Sequence, residues 1–184
     1  MTDRNATVMF AACTKFGPWC GDTWWRYLDW LGCHHVSEIV SADSILCPSP
    51  IDTLNEVDWN YNVHADTRTH FFRDVDYLKR RIDFDPQHHH ILALFDDPQS
   101  VPILPEYFAF CGYDILDSYD AISVLLNCGG FPDIFDCHDI NEFGLIASLD
   151  RARDIACALR RDFSADPHCH QCRVWGVARY KGDR

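Results

Sequence analysis

The chain has 184 residues, 47% of them hydrophobic and 24% charged. A chain of this length buries roughly 70% of its unfolded surface on folding, so a single globular domain over residues 1–184 needs neither disulfide nor metal staples. Lys and Arg number 16 against 28 Asp and Glu, and the resulting charge of −12 excludes nucleic acid as an expected partner, whereas it suits a basic or neutral protein partner.

The opening "MTDRNATVMFAAC" has a short apolar run, and Asp3 spoils the basic flank that a secretory leader needs. No stretch approaches the ~18 uninterrupted apolar residues of a membrane span. A cytoplasmic protein that does not enter the membrane is expected. The ten cysteines, at 13, 20, 33, 47, 111, 128, 137, 157, 169 and 172, are even in number. Several nonetheless sit inside apolar patterns where a reduced thiol acts as a small hydrophobe, which favours free, buried cysteines over a disulfide framework.

In chain order, "CGDTWWRYLDWLGC" predicts a short helix with Asp22 as N-cap and Gly32 just past its end. Its aromatic residues go nearly all the way round, so it is either deeply buried or part of an interface, with burial favoured. "SEIVSADSIL" (37–46) predicts a strand that stops at the turn-rich "CPSPID". Asp74 caps a second helix that carries Lys79, Arg80 and Arg81 in its last turn. "HILALF" has the continuous apolar character of a central strand covered on both faces. "YFAFC" and "AISVLLN" predict two antiparallel strands joined through "GYDILDSYD", whose Asp114, Asp117 and Asp120 are expected to be solvated. Ser148 caps a third helix with Leu149, Ala152, Ile155, Ala156 and Leu159 in one stripe, and "RVWGVARY" alternates as a closing strand. Single and paired strands with few long helices between them predict an α+β fold, a mostly antiparallel sheet of about five strands packed by three or more short helices. The basic clusters "LKRR", "RAR" (151–153) and "RR" (160–161) are expected on the solvated sides or last turns of helices.

Two sets of residues carry chemistry. His168, Cys169, His170 and Cys172 in "HCHQC" are of the ligand types that zinc prefers, including a C-x-x-C pair. They make half a site, and an extended chain there would turn Cys169 away from the other three. Cys128 ends "LLNC" ahead of Gly129 and Gly130, where bare backbone amides suit a developing oxyanion, and His138 is the nearest histidine to serve as its base. His88 and His90 form a weaker pair at a strand entrance. The chain holds no G-x-S-x-G elbow, phosphate-binding glycine loop or H-E-x-x-H helix. The expectation is a non-enzymatic protein-binding or regulatory module. The alternatives are a cysteine-dependent hydrolase or transferase built on Cys128, or a zinc-binding protein.

Overall fold

The computed structural model describes residues 8–15, 29, 32–44, 46–64, 70–117, 121–125 and 134–182. Its strands are β1 (Val8–Thr14), β2 (Asn62–His64), β3 (Phe71–Phe72), β4 (His89–Asp96), β5 (Phe108–Leu116) and β6 (Arg173–Tyr180). All pair antiparallel in one sheet of order β2-β3-β1-β4-β6-β5. With α1 (Val75–Arg81), α2 (Leu149–Asp162) and the four-residue α3 (Pro167–His170), the fold is mixed α+β. It has one strand more than the expected five.

Side chains alternate across the sheet, so each strand feeds two cores. Ala11, Leu92, Leu94 and Val177 pack on one face beneath Ala152, Ile155, Ala156 and Leu159 of α2. Phe10, Ile91, Ala93 and Phe95 pack on the other face with Leu78 of α1 and Ile51. Covered on both sides, β4 has the unbroken apolar sequence of a central strand. Both longer helices begin on the predicted caps: Asp74 accepts the Tyr77 N–H and Ser148 the Arg151 N–H. Their basic residues occupy the last turns, beside the carbonyl end of the helix dipole.

Three expectations change. The described part of 37–46 is a buried strap and not a strand: Ser37 and Val40 donate their amides to carbonyls of Glu142 and Phe143, and Ser44 donates to Ala121. The described part of "AISVLLN", 121–125, contributes a single bridge, Ser123 to Leu116, before turning at Val124 and Leu125. Residues 165–172 are not an extended strand entrance, because Asp166 caps α3 and Pro167 supplies its preset first position. The aromatic helix expected at 22–31 lies outside the described residues apart from Asp29.

The loop before α2 crosses β5 at Gly112, where the register shifts. Tyr113 and Ile146 exchange both backbone hydrogen bonds there, at 2.7 and 2.9 Å. Gly112 has φ +146°, and a Cβ on it would lie 2.8 Å from Leu145 Cβ and 3.0 Å from the Ile146 carbonyl oxygen. Positive φ and overpacking together make Gly112→Ala cost about 2–5 kcal/mol in urea denaturation. A cost below about 1 kcal/mol would mean that the loop yields easily.

Candidate functional site

Beyond the bulge, β5 carries Asp114 into the interior, where it is 0% exposed. This corrects the expectation of a solvated acid. Its carboxylate accepts the Ser41 hydroxyl at 2.5 Å, the Ser123 hydroxyl at 2.6 Å and the Ile115 amide at 2.8 Å. Ser41 Oγ in turn accepts the Asp43 amide, and the Asp43 carboxylate accepts the amides of Ser123 at 2.7 Å and Leu46 at 2.8 Å. The links close into a ring: Asp114, Ser41, Asp43, Ser123 and back to Asp114. Carboxylates thus take the amides that a neighbouring strand would otherwise bond, which is why 41–43, Leu46 and 121–125 are buried without forming a ladder.

Three residues further on, Asp117 is also buried, again contrary to expectation. One of its oxygens accepts the Ile122 amide at 3.0 Å, and the other lies 2.5 Å from His168 Nδ1. His168 stands at the start of α3 with its side chain 33% exposed. In the tautomer that carries its proton on Nδ1, the buried carboxylate orients the ring and leaves Nε2 as an acceptor, the arrangement of a general base.

The other predicted zinc residues face different ways. Cys169 and Cys172 are buried, and His170 is exposed. Burial raises the Cys169 thiol to about 12, with the Asp166 charge adding, and the Cys172 thiol to about 11 against the opposing charge of Arg160. Both are poor ligands until deprotonated. Among the described residues, no group of three or more His, Cys, Asp or Glu side chains is arranged to hold a metal ion. Cys128, Gly129, Gly130 and Asp120 lie outside the described residues. His138 is exposed, with its amide bonded to Asp136, while neighbouring Asp139 pairs with Arg151 at 2.7 Å. His88 bonds Asp85 at the surface, whereas His90 is buried 3.4 Å from Glu38, so the two do not share a ligand position. None of the eight described cysteines forms a disulfide, and Cys157 is exposed. The sequence reasoning missed Ser41, Asp43 and Ser123; the small polar run "SADS" is a recognisable source of side-chain-to-backbone bonds. In comparisons with known proteins, no family model, curated protein or solved structure matches the chain.

Two buried groups shift far and in opposite directions. The Asp114 carboxyl is pushed up to about 6 by burial, against its serine hydrogen bonds and with the Asp43 charge adding. His90 is pulled down to about 4 by burial, against Glu38 and with Lys15 and Arg179 adding. Between pH ~4 and 6 the folded chain holds a proton on Asp114 that the unfolded chain has released, so this group removes stability as pH rises. His90 acts oppositely: below ~6.5 the unfolded chain takes a proton that the folded chain refuses until about 4, so stability grows with pH. At about 1.4 kcal/mol per pH unit each is worth about 3 kcal/mol, and the two nearly cancel. Asp114→Asn removes only the first. Its urea-derived stability therefore rises relative to wild type by about 3 kcal/mol from pH ~4 to ~6. Parallel profiles for the two proteins would show that Asp114 does not titrate in that window.

Proposed function

We propose that the protein is a non-enzymatic binding module of the cytoplasm, and that it engages a basic or neutral protein partner through the connection between β4 and β5. The observation that carries this reading is the exposure of Ile103, 89%, and Val101, 68%. Between and beside them, Pro102 rests over Gly176 of β6, where an added Cβ would meet Pro102 Cγ at 3.2 Å, and Leu104 packs onto the second core. Alternate residues thus anchor the connection while Val101 and Ile103 face outward. Pro98, Pro102 and Pro105 restrict its backbone, which lowers the entropic cost of docking. Burying an exposed isoleucine of this kind yields about 1.5–3 kcal/mol. The charge of −12 favours a basic rim around the receiving groove and disfavours nucleic acid.

A photo-cross-linking residue in place of Ile103 is expected to capture one protein in the native host that a control at exposed Asp76 does not. Ile103→Ser lowers co-purification of that protein about tenfold. The same adducts from both positions would remove the basis for this docking surface.

A second reading, a cysteine-dependent hydrolase or transferase, is favoured by the Asp117–His168 geometry. In it Cys128 is the nucleophile, and His168, oriented by Asp117, is the histidine to be tested as its base. Iodoacetamide then labels Cys128 at neutral pH about tenfold faster in the folded chain than in urea, and His168→Ala abolishes the difference. Equal rates in folded and unfolded chains would remove this reading.

A further inference from the structure

In a chain so rich in carboxylates, arginines readily find acidic partners. Arg81 lies against Asp58, Arg151 against Asp139, Arg161 against Asp162, Arg173 against Asp96 and Arg179 against Glu38. Arg153 and Arg160 are held differently. Arg153 Nη2 donates to the Pro98 carbonyl at 2.7 Å, and Arg160 Nη1 donates to the Cys172 carbonyl at 2.7 Å. Arg160 Nη2 also lies 3.3 Å from Cys157 Sγ. Among the described residues no salt bridge neutralises either guanidinium, and their neutral partners fix the side chains while leaving the charge and most of the donors free.

Both arginines line one cleft. Positions 153, 157 and 160 fall on one stripe of α2 at the i, i+4, i+7 spacing. Asp97 and Gln99, which follow β4, and Arg173 and Val174, which begin β6, form the remaining wall. The cleft has a volume of about 570 Å³, within the range of small-molecule sites and larger than a bare ion requires. We infer that this cleft binds a small phosphate monoester. Arg153 and Arg160 face its phosphate oxygens, and Asp97 and Gln99 accept from and donate to hydroxyl groups on its body. A guanidinium fork matches phosphate oxygens in two parallel hydrogen bonds. The Asp97 carboxylate repels a second anionic group and suits a hydroxyl, which separates this ligand from a polyphosphate or a nucleic acid backbone. The site shares the start of the β4–β5 connection with Val101 and Ile103, through Arg153 and the Pro98 carbonyl, but uses neither of those side chains nor the Asp117–His168 pair.

Cys157 reports occupancy, because its exposed thiol lies on the cleft wall beside Arg160. Alkylation of Cys157 in the full chain by iodoacetamide, followed by peptide mass spectrometry, is the measurement. Glycerol 3-phosphate is expected to slow it about fivefold or more, inorganic phosphate less, and acetate or glycerol at matched ionic strength not at all. Arg153→Gln abolishes the protection, and Arg153→Lys, which keeps the charge and loses the fork, restores only part of it. Because Arg153 also ties α2 to the Pro98 carbonyl, Arg173→Gln provides a second test on a side chain that is 58% exposed, and it too weakens protection. Equal protection by acetate and glycerol 3-phosphate, or protection that persists in both Gln variants, overturns the inference.

Discussion

The placement of Asp114 governs the irregular half of the molecule. Moving a carboxylate into a protein interior costs several kcal/mol unless hydrogen bonds replace its water, and here two serine hydroxyls and one amide do so. The same serines extend the arrangement to Asp43, which takes the amides of Leu46 and Ser123. Each link therefore both satisfies a buried group and fixes a segment that no strand supports. Removing one partner strands another buried polar atom, at about 1–3 kcal/mol, so the ring holds or fails largely as a unit.

From this ring the C-terminal end of β5 leads directly to Asp117 and, through it, to His168 on α3. The helix that carries His168 also turns Cys169 inward, and the residue that starts the descent into β6 is buried Cys172. Residue types that suit zinc therefore also suit a capped turn packed on a core. Asp166 supplies the cap, Pro167 the first helical φ, and the thiols fill apolar space. Only one of the two histidines, His168, finds a buried partner.

What the sequence revealed divides along the range of the interactions involved. α1 and α2 were legible because caps, dipole-complementing charges and the apolar stripe all lie within a dozen or so residues of one another. β4 and β6 were legible from continuous or alternating apolar runs. β2 and β3, with three and two residues, are too short to show a period, and β1 stood out only as an apolar run near the start of the chain. Segments 37–46 and 121–127 have strand-like composition, but in their described residues the choice between ladder and strap lay with Asp43, Asp114 and Asp117. The burial of Asp114 depends on Ser41, 73 residues earlier, a separation that no local pattern encodes. The arginines of α2 were visible only as the clusters "RAR" and "RR", expected on the solvated side or last turn of a helix. Arg153 and Arg160 share a cleft with Asp97, Gln99 and Arg173, which only the sheet topology brings alongside.

The connection after β4 joins the exposed Val101 and Ile103 to the arginine-lined cleft. It starts at Asp97, whose φ of +42° is unfavourable for a residue with a side chain and is held by its amide bond to the Val174 carbonyl. Arg153 then fastens Pro98 to α2, and Pro102 fastens the middle of the connection to β6 at Gly176. Val101 and Ile103 lie on either side of that second anchor, so their outward orientation follows from the packing beneath them and not from loop composition. The first anchor uses a guanidinium that also lines the cleft. A change in the position of Arg153 therefore acts at once on the cleft wall and on the base of the exposed connection, through one hydrogen bond of 2.7 Å. The apolar prominence and the arginine-lined cleft are thus built on the same short segment.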